Sequence, residues 1–385
     1  MQRGPRLLVL YVLSNSTLNL VWGMFWVVSV YSVYQMGLPN TPFWFGVLFS
    51  AGWSTIVLAS LAVPFLIRRS ARSTFLLSEA IEILLTLVYF LAITERQVTL
   101  FVALVVVAGT FDEIAKAVLP SILKSMVPEG VEKAVSGVRT WQSIARLAGT
   151  LIGGASFALV GNASYFILAG LLVVAVAAAV SFPSAIMVYE GATLIQSLRG
   201  LLGSFTKSIE LKFTTMLSYA SLLAGFAGVF ITQLLVTHLQ ASSAEYGTYN
   251  AVTYLASAIG AYAAGKVKWS TKYVIGAWFA LQGVATFFMG LVPNLLVVLT
   301  SGALLFVASG LATTQVFQKI YHDYPKETVA LVAQLVYFLM SVALMIGSIG
   351  GGSVGLVVNP ALGLIWLSPL YLLVGFVWFV VARKY

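Results

Sequence analysis

The chain has no cysteine, only two histidines, and charged side chains at just 9% of positions. Without thiols there are no disulfides and no thiolate metal sites. His238 and His322 fall in or beside predicted loops with no second ligand at metal spacing, so no metal centre is expected. Soluble domains carry about a quarter charged residues, so the shortage of charge excludes a water-soluble core. Nor is there a polar stretch long enough for a soluble domain. The longest connection between apolar runs is 188–210. What fills the chain is apolar sequence, 60% of 385 residues.

A helix that crosses a bilayer needs about 20 mainly apolar residues. Twelve such runs are readable: 7–35, 43–67, 74–94, 98–121, 136–160 and 163–187, then 211–238, 248–266, 273–292, 295–318, 329–357 and 361–382. The start, "MQRGPRLLVLYVL", has the basic end and apolar run of a signal peptide. The run continues to about Val33 with no small-residue cleavage site, so it reads as a retained first span. Turn chemistry punctuates the connections, as in "GLPNTP" (37–42), "GNA" (161–163) and "NPA" (359–361).

Lys and Arg outnumber Asp and Glu, 21 to 12. With the N-terminus inside, the external loops hold Arg96 alone and the other loop lysines and arginines face the cytoplasm. The excess is therefore a topology signal facing anionic lipid headgroups, not a nucleic-acid surface, and both termini are expected in the cytoplasm. Ile195, Leu198, Leu202 and Phe205 recur at helical spacing in 192–205, which suits either an interfacial helix or a plain connector.

Two motif matches fail on context. "GAYAAGKV" (260–267) fits the start of a P-loop, but Val267 stands where a Ser or Thr would hold magnesium, and no strand precedes it. "GGGSVG" (350–355) has the dinucleotide glycine spacing inside an apolar span. Neither an enzyme nor an ATP-driven pump is indicated, and no cofactor is expected.

The two halves repeat at an offset near 198 residues. "IRRSARST" (67–74) corresponds to "GKVKWSTK" (265–272), and "GTLIGG" (149–154) to "GSIGG" (347–351). Gly149, Gly153 and Gly154, with Gly347 and Gly351, are expected to pack helices closely, because small residues allow the van der Waals contact that lipid does not drive. Repeats of this kind build many secondary transporters, with the substrate site where the halves meet.

On these features the whole chain resembles the major facilitator superfamily. "AVLPSILKSMVPEGVEKAVSG" (117–137) and "GTLIGG" resemble the efflux branch that includes drug and siderophore exporters, although Thr150 replaces a proline usual in the second motif. The loop "RRSARS" (68–73) keeps the family's basic residues and lacks its aspartate and leading glycine. The resemblance implies an all-α membrane protein of twelve transmembrane helices. Two six-helix bundles, 1–187 and 211–385, would be related by pseudo-two-fold symmetry and joined by a cytoplasmic linker, 188–210, rocking about a central cavity. Spans 1, 4, 7 and 10 would line that cavity.

Span 1 sets Asn15, Asn19, Trp22 and Trp26 on one face, a fit to a substrate cavity with amide groups and aromatic walls. Ser218 of span 7, Gln315 of span 10, and Gln334 and Tyr337 of span 11 are further cavity candidates. Ionisable residues within spans are confined to the first half: Glu79, Glu82, Asp112, Glu113, Lys116, Arg139 and Arg146. Buried charge is expensive in a membrane and marks ion pathways and proton relays. Asp112 and Lys116, four residues apart, are placed to pair. These seven form a candidate proton-coupling layer or gate, with Asp112 or Glu113 as first choice for the proton. The reading is a monomeric plasma-membrane antiporter for proton-coupled efflux of a small amphiphilic or hydrophobic compound. An uptake carrier, a lipid or metal exporter of the same fold, and a non-transporting receptor stay as alternatives.

Overall fold

The computed structural model describes residues 3–62, 70–126, 131–184, 209–267, 270–323 and 326–382. The linker helix expected at 192–205 lies outside the described residues, as do the side chains of Arg139 and Gln334. In order, the helices are α1 (Arg3–Gln35), α2 (Thr41–Ala62), α3 (Ala71–Thr94), α4 (Val98–Met126), α5 (Val131–Val160) and α6 (Ser164–Ala179). They are followed by α7 (Ile209–Gln233), α8 (Ser243–Ala264), α9 (Thr271–Leu291), α10 (Leu295–Asp323), α11 (Lys326–Val354) and α12 (Pro360–Ala382). In hydrocarbon every backbone N–H and C=O must find its partner within the protein, and a helix achieves this within one segment. The connections end helices by side-chain chemistry. Asn294 Oδ1 accepts from Val297 N at 2.9 Å, and Asn359 Oδ1 accepts from Ala361 N at 2.9 Å. Gly37, at φ +63°, closes α1 in a conformation that side chains resist.

Ten stretches among the described residues are long and apolar enough to cross a membrane, against the twelve read from sequence. The difference has two causes. α5 and α6 run on through the short turn Gly161–Ala163 and make one apolar stretch, Thr140–Ala179. α8, "SAEYGTYNAVTYLASAIGAYAA", is diluted by Ser, Thr, Asn and Tyr and falls short. The chain is an all-helical integral membrane protein.

The chain divides into two compact units. Unit 1 comprises Met1–Leu38, Ser54–Leu194 and Ser242–Ala251; unit 2 comprises Pro39–Trp53, Ile195–Ala241 and Val252–Tyr385. Within unit 1, α1 packs on α5 and α6, and α3 on α4 and α6. Within unit 2, α7 packs on α11 and α12, and α9 on α10 and α12. The α1–α5 contact has no room for a side chain. A Cβ on Gly149 would meet the Leu20 carbonyl, and one on Gly153 would lie 2.8 Å from Met24 Cα. α7 and α11 meet in the same way, through Gly347 at the Leu222 carbonyl and Gly351 at Phe226. Gly154 packs on the start of α8, where Ser243 Oγ donates to the Gly154 carbonyl at 2.9 Å.

Candidate functional site

Glu79 and Glu82 of α3, Asp112, Glu113 and Lys116 of α4, and Arg146 of α5 come together inside unit 1. Asp112, Glu113 and Lys116 lie on one turn of α4, so Lys116 Nζ reaches both acids. It donates to Asp112 Oδ2, and to Glu113 Oε1 at 3.1 Å. Asp112 is buried, while Glu113 and Lys116 are half-buried. Pro120, one turn on, has no N–H for the Lys116 carbonyl and crowds it, which weakens α4 just past the charges.

From α3, Glu79 and Glu82 present carboxylates on the same side, three residues apart. The oxygens of Glu79, Glu82 and Asp112 lie within 4.8 Å of one another. Glu79 is completely buried, and neither of its oxygens has a hydrogen-bond partner. Glu82 Oε2 is equally without one. Three carboxylates without a histidine or thiolate are a poor transition-metal set. The hard alternative, Ca²⁺, takes about six to eight oxygens and would sit against the Lys116 ammonium. A proton needs neither more ligands nor more room.

α1 and α5 supply the other side. Asn19 Nδ2 donates to the Asn15 carbonyl at 2.9 Å and to Asn15 Oδ1 at 3.2 Å. Gln142 Nε2 donates to Asn15 Oδ1 at 3.0 Å, and Arg146 Nη2 to Asn19 Oδ1 at 2.8 Å. The Trp22 ring joins the halves of this network. Arg146 lies 4.9 Å from its centroid and Lys116 5.6 Å, both within cation–π range. Trp26 packs edge-on against Trp22 with centroids 5.5 Å apart. A continuous path thus runs from Gln142 through the two asparagines, Arg146, Trp22 and Lys116 to the carboxylates.

Sequence reading had placed Asn15, Asn19, Trp22 and Trp26 on one face. It missed Gln142, although its place four residues before Arg146 was the available signal. Arg146 lies against Asn19 and Trp22, where the close α1–α5 packing brings α5 onto α1. The unit 2 candidates have other surroundings. Gln315 Nε2 donates to the Val267 carbonyl at 3.3 Å, Tyr337 stacks on Phe317 with centroids 4.7 Å apart, and Ser218 is half-buried on α7.

No family model matches the chain, and neither does any curated protein sequence. Solved structures do match. The nucleoside transporter NupG superposes with a TM-score of 0.80 at 12% identity, covering 100% of both chains. A POT family transporter in complex with a thioalcohol-conjugated peptide gives 0.76 at 10% identity, over 98% of this chain and 96% of that one. The human organic anion transporter MFSD10 gives 0.65 at 14% identity, over 98% and 100%. The chain has the fold of these transporters. That likeness covers the whole length and reaches no further than the fold, since nine residues in ten or thereabouts differ.

Proposed function

We propose that the chain is a secondary active transporter of the major facilitator superfamily that exports a small amphiphilic or hydrophobic compound in exchange for protons. It works by alternating access, as a monomer in the plasma membrane with both termini cytoplasmic. Support for two six-helix halves, 1–187 and 211–385, comes from the helix pairs of unit 1 that recur six helices later in unit 2, glycine contacts included. The single observation that carries the coupling is the group of buried carboxylates in α3 and α4 with too few donors. Lys116 donates to Asp112 and Glu113; among the described residues, Glu79 and one oxygen of Glu82 have no hydrogen-bond donor. Charge in that position is costly, and a proton shared among the three carboxylates removes part of it.

In this reading Asp112 is the exchange point, since it bonds Lys116 and has an oxygen within 4.8 Å of the glutamate carboxylates. Movement of α4, eased at Pro120, lets Lys116 trade Asp112 for Glu113 and so changes how firmly the group holds its proton. Arg146 and Trp22 carry that change to Asn19 and the aromatic face of α1, where the substrate would bind. Spans rich in amides and hydroxyls in unit 2, without an ionisable group in their interiors, suit an apolar or weakly polar substrate over a phosphorylated one.

The test is flux in proteoliposomes with an imposed pH gradient. Asp112→Asn or Glu113→Gln is expected to abolish gradient-driven transport and to leave substrate counterflow intact. A static ion-pair gate predicts the opposite, full accumulation in both variants and in Glu79→Gln. A reporter fused after Tyr385 is expected to be cytoplasmic; an external one overturns the topology.

A further inference from the structure

A groove of about 620 Å³ runs along unit 2 between α9 and α12, lined by Ser270, Tyr273, Gly276, Ala277, Ala280 and Phe379. Its floor is made of the small residues, and its walls are the Tyr273 and Phe379 rings, whose centroids lie 5.9 Å apart. A Cβ on Gly276 would already press on Phe379. Tyr273 is 51% exposed and Phe379 43%, so the groove opens sideways from its helices. The transport reading makes no use of it.

At the Ser270 end the chemistry changes. α9 begins at Thr271, and its first amides have no helical acceptor. Ser270, the residue before it, makes no side-chain capping bond and is exposed. Lys272 Nζ stands 5.2 Å from the Tyr273 ring, and Trp378 Nε1 fixes the Lys272 backbone by donating to its carbonyl at 2.8 Å. A free helix N-terminus, a hydroxyl and an ammonium together form an anion site. From Ser270 to Ala280 the helix rises about 15 Å, half of a hydrocarbon core about 30 Å thick.

We propose that this groove holds an anionic glycerophospholipid, its phosphate at Ser270, Lys272 and the α9 N-terminus and one acyl chain along Tyr273–Ala280 against Phe379. The occupant follows from the two ends taken together. A soluble anion gains nothing from the apolar floor, and an uncharged lipid gains nothing from the cation. Only a molecule with both parts uses the whole site, and the depth matches one leaflet. Lys272 belongs to the basic loop 265–272, the side on which anionic lipids gather.

The test uses the purified full-length chain and native mass spectrometry, with phosphatidylglycerol and phosphatidylcholine of identical chains as probes. The wild type is expected to retain one phosphatidylglycerol in preference to phosphatidylcholine. Lys272→Glu is expected to weaken phosphatidylglycerol binding about fivefold or more, the effect of a basic residue at an anionic surface, with phosphatidylcholine unchanged. Gly276→Leu fills the floor and is expected to weaken both lipids. Because Gly276 also packs on Phe379, Ala280→Leu at the exposed far end repeats that test without disturbing the helix contact. Equal retention of the two lipids by the wild type overturns the proposal. So does wild-type phosphatidylglycerol binding in both Lys272→Glu and Ala280→Leu, or complete displacement by millimolar inorganic phosphate. The measurement involves no transport, so its failure leaves the coupling reading untouched.

Discussion

The α1–α5 pair of unit 1 and the α7–α11 pair of unit 2 are built alike and used differently. In each, glycines four residues apart bring one helix onto the backbone of the other: Gly149 and Gly153 on Leu20 and Met24, Gly347 and Gly351 on Leu222 and Phe226. Beside the first contact lie Asn15, Asn19, Trp22, Gln142 and Arg146 in one bonded path. Beside the second, among the described residues, lie hydroxyls, amides and aromatics such as Ser221, Gln233 and Phe226. Packing and chemistry are therefore separable in this chain. Small residues bring helices together in both units, and the ion pairs of Lys116 with Asp112 and Glu113 lie in unit 1.

The largest effect that separates the two units is expected from Lys116, the cation that serves the acids of unit 1. Lys116→Met leaves the buried Asp112 and the half-buried Glu113 without this donor, and breaking a buried ion pair from one side costs about 3–5 kcal/mol. The triple variant Lys116→Met, Asp112→Asn, Glu113→Gln is expected to recover most of that stability. In unit 2, Gln315→Leu loses one hydrogen bond to the Val267 carbonyl, about 1 kcal/mol. Thermal unfolding in detergent reads all three. A Lys116→Met protein as stable as the wild type would mean that the charges are not buried together.

Next in size is the scaffold itself, where the two units should respond alike. Gly149→Val and Gly347→Val each force a branched side chain onto a backbone carbonyl, and overpacking of this kind costs about 1–3 kcal/mol. Similar losses from both are expected. If one variant is tolerated and the other is not, the two contacts are not equivalent and the argument for a repeated scaffold weakens.

Which residue types recur along the chain is legible in sequence, and so are the glycine pairs of α5 and α11 and the ionisable residues of α3, α4 and α5. Hydropathy located the apolar runs, though ten stretches and not twelve qualify as spans among the described residues, and Asp112 with Lys116 is an ion pair at helical spacing. Helix ends were less legible. α4 runs to Met126, past the apolar run that ends at Ser121, since a helix leaving the bilayer continues on backbone bonds that hydropathy does not register. Partners between helices were hidden as well. Nothing in the spacing of Asn15 and Asn19 says that Gln142 and Arg146 meet them, or that Trp22 lies between two cations. Residues 242–251 belong to unit 1, a placement that no local pattern in α8 encodes.

A smaller effect is expected from the aromatic link. Trp22→Phe keeps a ring but offers Lys116 and Arg146 a weaker face, a loss of about 1 kcal/mol or less for half-exposed cation–π contacts. Stability should hardly change. Substrate selectivity should change, as it should in Asn19→Ala or Trp26→Ala, measured by competition in counterflow. Selectivity identical to the wild type in all three variants would reduce the α1 face to packing.

The smallest expected effect lies where α8 starts, on the segment that joins unit 1. Ser242 and Glu245 form a reciprocal cap: Ser242 N donates to Glu245 Oε2 at 2.7 Å, and Glu245 N donates to Ser242 Oγ at 3.2 Å. These bonds, the backbone N–H of Ser242 first, hold the Glu245 carboxyl below its ordinary range. A carboxylate held low in the folded state adds stability that is fully present above its unfolded value. That contribution fades as pH falls from the ordinary carboxylate range through the lowered folded value. Glu245 is exposed, so solvent screens the gain to under about 1 kcal/mol; Ser242→Ala should cost about 1 kcal/mol. The consequence is local, since the cap precedes Ser243, whose hydroxyl bonds the Gly154 carbonyl, and Gly247, which packs on Thr150. Hydrogen exchange of residues 243–247, corrected for intrinsic rates, should therefore quicken in Ser242→Ala at neutral pH. In the wild type it should quicken only as pH drops below about 4, the ordinary carboxylate range. Protection that is flat with pH and indifferent to Ser242 would show that Gly154 and Gly247 alone hold α8 against α5, as Gly347 and Gly351 hold α11 against α7.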